Sequence, residues 1–333
     1  MWSAIYPGQG SQHPGMGQFL YNEFHLAKET FEEASDSLHL DFKKLCFEGS
    51  DQELALTHNT QPCLLLVSVA TYRVLSQVMG FKPQAYAGHS VGEYAALVTS
   101  GAIQFSDALR AVRTRGEAMQ KAVPVGVGGM AAVMGLTPQQ VIELCKWAEK
   151  TAAKEDIEGP LEPANFNCPG QIVISGRASM IDWTNKNFSK EKAEEVFSKE
   201  ALSTPVSKVR LIPLNVSAPF HCSMMKPAED HMRQFLSALD FQSAQTPVVQ
   251  NFTALPTTEA RVLRENVIRQ VSSPVRWIEC TEKLHSLGTQ KLIEVGCGKV
   301  LSGLTKKILG EKAQVYGTNS LEDLKGIENE LKH

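Results

Sequence analysis

Residues 86–97, YAGHSVGEYAAL, place a serine between two glycines at the end of an apolar run. Gly88, Ser90 and Gly92 fit the pattern Gly-x-Ser-x-Gly, in which a strand turns sharply into a helix and leaves the serine hydroxyl exposed. Because this turn needs a strand before it and a helix after it, the stretch predicts an α/β fold. Three fixed positions in five also occur by chance, and a small residue that caps a helix is the plainer interpretation.

The order of predicted elements extends the α/β prediction to the whole chain. Apolar runs that predict strands alternate with helical periodicity, except in a middle stretch whose order β-α-β-β-α-β is that of a ferredoxin-like module. We therefore predict a large α/β-hydrolase-like domain with a parallel sheet, formed by residues 1–128 and 213–333. A small ferredoxin-like subdomain is predicted as an insertion at 129–212.

Local signals predict several helix boundaries. Thr137 is expected to cap a helix that has Pro138 at its first position. A long charged helix is expected to run to about Glu200, and residues 259–287 are predicted to be helical.

Composition argues against several classes of function. A chain of 333 residues with 43% hydrophobic and 21% charged residues is typical of a globular protein, and its net charge of −3 gives no footprint for nucleic acid or an anionic membrane. The seven cysteines are scattered, without a Cys-x-x-Cys pair, and no basic and apolar leader opens the chain. We therefore expect a reduced, cytoplasmic protein that neither crosses nor binds a membrane.

Two glycine-rich stretches fall short of nucleotide-binding patterns. The loop that begins at Gly8 lacks the third glycine of the dinucleotide fingerprint. Residues 296–303, GCGKVLSG, lack the spacing of a phosphate-binding loop, which favours a plain strand-to-helix turn. The nine histidines show no ligand spacing, so no metal site is predicted.

A serine hydroxyl needs a base before it attacks a carbonyl. His221, in APFHCSMMKP, lies in a proline-flanked turn between a predicted strand and a predicted helix, and loops often present functional side chains. Taken alone, His221 is more simply a loop histidine, Arg115 a surface helix residue and Gln9 a loop residue.

Seven stretches together remove most of this ambiguity. In chain order they are PGQGSQHPGMG, GHSVGEYAAL, RGEAMQ, GVGGMAAVMGL, NFNCPGQIVISG, APFHCSMMKPA and EVGCGKVLSGLTKKI. They closely resemble the malonyl-CoA:acyl-carrier-protein transacylase family of fatty-acid synthesis and the related acyltransferase domains of polyketide synthases. The resemblance covers about residues 3–320.

The resemblance implies a role for each matching residue. Ser90 would be acylated, with His221 as its general base and without an aspartate. The backbone N–H groups of Gln9 and Val91 would form the oxyanion hole. Arg115 would bind the free carboxylate of the malonyl group.

Other implied positions lie around these residues. A main-chain carbonyl that orients the histidine is placed at Gln250, with Asn251 as the alternative. Phe220, His89 and Asn167 are assigned to the substrate pocket. Phe220 is expected to favour malonyl over methylmalonyl, although a plain packing role is equally compatible with the sequence.

The implied reaction replaces one thioester by another through malonyl-Ser90, so neither a cofactor nor a metal is expected. The expected partners are a coenzyme A thioester and the phosphopantetheine arm of acyl carrier protein, and a monomer is expected. Extra residues near 149–161 and 183–205 leave the identity of the carrier protein open. Three alternatives remain: a trans-acting acyltransferase of a polyketide synthase, a thioester hydrolase and a non-catalytic scaffold.

Overall fold

A six-stranded sheet carries the predicted serine corner. The computed structural model describes residues 1–200, 202, 204–206, 208–216 and 218–332, so Ala201, Ser203 and Ser207 of the predicted subdomain lie outside it. The strand order is β10-β9-β1-β2-β7-β8, and all neighbours are parallel except β7 and β8. The strands are β1 Trp2–Tyr6, β2 Tyr86–Gly88, β7 Val248–Val249, β8 Pro256–Thr257, β9 Lys291–Glu294 and β10 Gln314–Tyr316.

The middle of this sheet is buried on both faces. Ala4, Ile5 and Tyr6 of β1 are fully buried, as are Leu292 and Ile293 of β9. Parallel strands covered on both faces need continuous apolar runs, which is why the strands have apolar rather than alternating sequences.

Residues 1–121 and 260–332 contain eleven α-helices. They are α1 Gln18–Glu23, α2 His25–Leu38, α3 Phe42–Glu48, α4 Asp51–Ala55, α5 Thr57–Gln77, α6 Gly92–Thr99, α7 Phe105–Lys121, α12 Ala260–Arg269, α13 Trp277–Ser286, α14 Val300–Leu309 and α15 Leu321–Lys332. None of the described helices is long and apolar enough to cross a membrane. Most residues of α5 are buried, which matches the apolar sequence of its centre.

A separate antiparallel sheet has the strand order β4-β5-β3-β6. Its strands are β3 Gly128–Met134, β4 Leu161–Cys168, β5 Gln171–Arg177 and β6 Arg210–Pro213; the helices between them in the chain are α8 Pro138–Ala152, α9 Ala178–Asn187 and α10 Lys190–Lys199, and α11 Lys226–Ser237 follows β6. Inward-facing residues of β3 and β5 share one apolar core with α8 and α9. This sheet and its helices therefore have a core of their own.

The chain divides into two compact units. The first comprises Met1–Glu117, Gln234–Val267 and the chain from Glu279 onward; the second comprises Ala118–Arg233 and Ile268–Ile278. The second unit is longer than the predicted 129–212. One reason is that Val275 pairs with β4, since its backbone exchanges hydrogen bonds of 2.9 Å with Ala164 and Phe166.

Two helix predictions were wrong in the same way. The charged helix expected to reach Glu200 is interrupted before α10, where the Ser189 side chain accepts a hydrogen bond from Lys192 N–H and caps a new helix. The predicted helix at 259–287 is two helices, α12 and α13, separated by a 3-10 turn at Gln270–Ser272 and by extended chain that contains Pro274. Proline disfavours helical backbone in the residue before it, which accounts for the second break.

The start of α8 confirms the predicted cap and supplies a stability test. Thr137 Oγ1 accepts from Gln140 N–H at 3.2 Å, and Gln140 Oε1 accepts from Thr137 N–H at 3.0 Å. Thr137→Ala should lower the free energy of unfolding by about 0.5–2 kcal/mol in chemical denaturation, because the Gln140 N–H loses its side-chain acceptor. Gln139→Ala, at an exposed position of the same turn, is the control. Equal losses in both variants would contradict the capping assignment.

Candidate active site

Ser90 lies at the predicted corner between β2 and α6. Its φ of 52° is in the left-handed region, which non-glycine residues adopt rarely and at a cost of about 1–3 kcal/mol. A Cβ on Gly88 would overlap the Gly92 backbone, and one on Gly92 would overlap the Tyr6 carbonyl oxygen. The two glycines are therefore required by close backbone contacts around the serine.

Arg115 reaches this serine from α7. Its Nη2 donates to Ser90 Oγ at 3.1 Å and its Nη1 donates to Gln61 Oε1 at 2.8 Å. The helix approaches α5 closely at Gly116, where a Cβ would lie 2.7 Å from His58 Cα. Arg115 is only 1% exposed, so it is not the surface residue that its helix position suggested. Burial lowers the pKa of Arg115, but arginine remains protonated in proteins.

The two proposed oxyanion donors belong to the same unit as Ser90. Val91 directly follows the serine, and Gln9 follows Gly8, where a Cβ would lie 2.6 Å from the His89 carbonyl oxygen. The loop before Gln9 thus packs directly on the serine corner. His89 is half-buried, and its backbone N–H donates to Tyr6 O at 3.0 Å, which extends the contact between β1 and the corner. The oxyanion roles stay predictions.

The placement of the histidine-orienting carbonyl at Gln250 was wrong. The Gln250 carbonyl accepts from Ala254 N–H at 2.8 Å and from the Cys280 thiol at 3.6 Å, so it closes a turn after β7. Its side-chain Nε2 donates to Glu93 Oε1 at 3.0 Å. The backbone N–H of Asn251, the alternative, donates to Glu93 Oε2 at 2.7 Å.

His221 is oriented by Gln270 instead. Its Nδ1 lies 2.9 Å from the Gln270 carbonyl oxygen, and because a carbonyl can only accept, Nδ1 carries the proton. In the neutral ring, Nε2 then holds the lone pair that a general base needs. His221 is 4% exposed, and its φ of 60° shares the left-handed conformation of Ser90.

A buried carboxylate supports the turn that carries Gln270. Ser272 Oγ donates to Glu229 Oε2, and Glu229 Oε1 also accepts from Lys226 at 2.7 Å and Arg233 at 3.3 Å. Burial by itself raises the pKa of Glu229, but the hydrogen bonds from Lys226 and Ser272 hold it below the ordinary value. The anionic side chain therefore anchors the 3-10 turn next to the orienting carbonyl.

The remaining pocket candidates lie in the second unit. Phe220 is 8% exposed and precedes His221. Asn167 is half-buried at an irregularity in the pairing of β4 with β5, and such bulges often redirect a side chain. Their contacts with substrate stay predictions.

The glycine-rich turn after β9 is occupied by the protein's own carboxylate. Glu294 accepts from Leu301 N–H at 2.9 Å and from Ser302 N–H at 2.7 Å, at the start of α14. These are the N–H groups that a phosphate would use. Among the described residues, no group of three or more His, Cys, Asp or Glu side chains could hold a metal ion.

A strained serine at the corner after a parallel strand, with a buried guanidinium on its hydroxyl, is the arrangement expected of an acyl-transfer enzyme. The chain belongs to the acyl transferase family, because the model of the acyl transferase domain matches residues 4–321. It is 43% identical over 305 residues to the malonyl CoA-acyl carrier protein transacylase of Bacillus subtilis, covering 91% of this chain and 89% of the relative. The corresponding protein of Haemophilus influenzae is 40% identical over 99% of both chains.

Solved structures give the same result. The acyl-carrier-protein S-malonyltransferase of Burkholderia pseudomallei has a TM-score of 0.88 and 40% identity, with 98% of this chain and 99% of that chain covered. A malonyl-transacylase in complex with a type II polyketide synthase acyl carrier protein also has a TM-score of 0.88, at 36% identity and 99% coverage of both chains. The mixed α/β fold, with a parallel sheet and a separate antiparallel sheet, is that of these enzymes.

Glu229 supplies a pH-dependent test of the turn that carries Gln270. Glu229→Gln should lower the free energy of unfolding by about 1.5–3 kcal/mol at neutral pH, because it removes hydrogen bonds to a charged acceptor. A carboxyl whose folded-state pKa is depressed stabilises the fold above its ordinary pKa and loses that contribution as pH falls through the lower folded value. The difference from wild type should therefore shrink below about pH 4.5, the ordinary glutamate value.

Asp230→Asn is the matched control, since Asp230 contacts the same Lys226 at 3.0 Å but is exposed. Denaturation of the three proteins between about pH 3.5 and 8 makes the comparison. A Glu229→Gln difference that is constant across this range would exclude an anionic anchor.

Proposed function

We propose that this protein transfers the malonyl group of malonyl-CoA to the phosphopantetheine thiol of an acyl carrier protein. The observation that carries the proposal is the 3.1 Å hydrogen bond from Arg115 Nη2 to Ser90 Oγ. A malonyl group carries its free carboxylate two bonds from the thioester carbon, so an acyl group attacked by Ser90 would bring that carboxylate to the guanidinium. The names of the relatives, malonyl CoA-acyl carrier protein transacylases, agree with this substrate.

The proposed mechanism has two half-reactions. Ser90 Oγ attacks the malonyl thioester while His221 Nε2 takes the hydroxyl proton, and coenzyme A leaves as a thiol with that proton. The carrier-protein thiol then gives its proton to His221 and attacks the ester carbon, which returns Ser90 to its hydroxyl form. The Gln9 and Val91 N–H groups would hold the negative oxygen in both steps, and one such donor commonly contributes about 10²–10³ in rate.

Arg115 is the proposed specificity residue. Its planar guanidinium can form two parallel hydrogen bonds with a carboxylate, which lysine cannot reproduce. Removal from water strengthens that attraction, and Arg115 is almost fully buried. Phe220 and Asn167 are proposed to line the acyl pocket, with Phe220 favouring malonyl over methylmalonyl.

The thioester exchange that we propose needs neither ATP, a metal nor a resident cofactor, because the acyl bond keeps nearly the same energy. A monomer that binds neither nucleic acid nor membranes is proposed. The proposed location is the cytoplasm, which is supported by seven cysteines that are all free and buried.

The finer fold description is part of the proposal. The order β3-α8-β4-β5-α9-α10-β6 with sheet order β4-β5-β3-β6 supports a ferredoxin-like subdomain in which two helices replace the second one. A mainly parallel sheet with a serine corner after β2 supports an α/β-hydrolase-like large domain.

A second candidate is a trans-acting acyltransferase that serves a polyketide synthase. It is favoured by the similarity to the malonyl-transacylase that was solved with a type II polyketide synthase carrier protein. The chemistry is the same in both candidates, and only the carrier protein differs.

Intact mass spectrometry tests the acyl-enzyme. Incubation with malonyl-CoA should add one malonyl group to wild type and none to Ser90→Ala, and holo acyl carrier protein should then remove it. Carrier proteins from fatty-acid and polyketide synthesis, compared in parallel, separate the two candidates. Loss of the adduct to water at the same rate without carrier protein would support a hydrolase instead.

Arg115 variants test substrate selection. Arg115→Ala should lower kcat/KM for malonyl-CoA by about 10²–10⁴, from the loss of two hydrogen bonds of about 1.5–3 kcal/mol each, and Arg115→Lys should recover only part of it. The rate with acetyl-CoA should change by less than about tenfold, because acetyl has no second carboxylate. Arg113→Ala is the control, since Arg113 lies on the same helix and bonds His58 O and Asn59. Equal losses with both substrates would refute the carboxylate role.

A further inference from the structure

The backbone on both sides of Ser90 is held by one side-chain amide. Asn251 Oδ1 accepts from Ser90 N–H at 2.8 Å, and Asn251 Nδ2 donates to Gly88 O at 2.8 Å. Asn251 is fully buried in the turn between β7 and β8. It therefore satisfies one donor and one acceptor that the sharp turn takes out of the sheet.

The reason for this amide lies in the sheet register. Main-chain pairing between β2 and β7 stops at Ala87 and Val249, because the left-handed φ of Ser90 turns the chain away from the sheet. The Asn251 side chain carries the same two groups as a peptide unit, so it continues the hydrogen bonding for one more step. A buried backbone group left without a partner would cost about 1–3 kcal/mol.

Asn251 is itself fixed by a buried carboxylate one helical turn after the serine. Glu93 Oε2 accepts from Asn251 N–H at 2.7 Å, and Glu93 Oε1 accepts from Gln250 Nε2 at 3.0 Å. Gln250 also donates to Leu263 O at 3.0 Å and accepts from Asn266 at 2.9 Å. Burying a carboxylate is expensive unless hydrogen bonds compensate, and here two of those bonds secure the turn that carries Asn251.

We propose that Asn251 is a positioning residue for acyl transfer, which holds Ser90 in its strained conformation so that the hydroxyl and the Val91 N–H keep their reactive placement. The inference rests on the proposed function for the identity of the acyl substrate, whereas the hydrogen bonds of Asn251 are observed independently of that function. Loss of the amide lets the backbone relax toward an ordinary φ, which displaces both groups without removing either. Loss of the Asn251 amide should therefore lower the rate of serine acylation and change substrate binding little.

Asn251→Leu and Asn251→Asp separate positioning from packing. Leucine removes both hydrogen bonds at similar volume, and we expect the single-turnover rate of Ser90 malonylation to fall by at least tenfold while KM changes by less than about threefold. In Asn251→Asp, an ionised carboxylate would face the Gly88 carbonyl, whereas the protonated acid can donate to it. The rate of this variant relative to wild type should therefore rise as pH is lowered from about 8 to 5.5.

Ser3→Ala is the control for a lost buried hydrogen bond. Ser3 Oγ is 2.7 Å from Thr289 Oγ1 and fully buried at the start of β1, the opposite end of the strand from the serine corner. Ser3→Ala should lower the melting temperature without lowering the acylation rate. The inference would be overturned if Asn251→Leu lowered the acylation rate no more than Ser3→Ala does. It would also be overturned if the acylation rate of Asn251→Asp relative to wild type did not change with pH.

A fluorophosphonate probe keeps this test independent of the acyl substrate. The probe phosphonylates an activated serine and carries no malonyl group, so its rate of labelling reports the reactivity of Ser90 independently of the acyl substrate. Asn251→Leu should be labelled at least tenfold more slowly than wild type. If wild type reacts with the probe but not with malonyl-CoA, the proposed function fails, while the labelling rates of the variants still decide the role of Asn251.

Discussion

The close contact between the Gly88–Gly92 turn and the end of β1 is the constraint on which the proposed chemistry depends. Glycines at 88 and 92 let the chain pass within backbone contact of itself and of Tyr6, and Gly8 brings the first loop against the same corner. Within these contacts Ser90 adopts φ 52° between a strand and a helix. The strain is offset by hydrogen bonds at its edges, so the corner is rigid where an ordinary loop would not be.

Arg115 adds a second constraint, since a guanidinium taken out of water must be held in place. Gln61 accepts a hydrogen bond from Nη1 of Arg115, and the Ser90 hydroxyl accepts one from Nη2. The position of the guanidinium is therefore tied to the position of the Ser90 hydroxyl. In the proposed reaction, the free carboxylate of the acyl group would replace the neutral hydroxyl of Ser90 as the acceptor for Arg115. Charge-assisted hydrogen bonds are roughly twice as strong as neutral ones, which favours that exchange.

The parts of the site that follow a strand or a helix were predictable from the sequence, and the parts that depend on long-range pairing were not. The serine corner and the Thr137 cap have local signals, and the structure contains both. Gln270 was missed because residues 259–287 were predicted as helical, where a carbonyl would be occupied within the helix. Ser-Ser-Pro at 272–274 was the available signal for the break. Nothing local distinguished Gln250 from Gln270, because their carbonyls differ only in what the fold brings to them.

A neutral carbonyl as the partner of the histidine is better suited to the proposed thioester exchange than to peptide hydrolysis. The Gln270 carbonyl fixes the tautomer of His221, and Glu229 fixes the turn, but no charge is placed directly on the imidazole by this bond. A carboxylate at that position would stabilise the imidazolium and strengthen the base. The leaving group and the second nucleophile in acyl transfer between thioesters are both thiols, whose ordinary pKa of about 8.5 lies far below that of an amine leaving group or a water nucleophile. Orientation without an added charge is therefore sufficient for the thiol steps, and a base that is not strengthened gives water less help in attacking the acyl-serine.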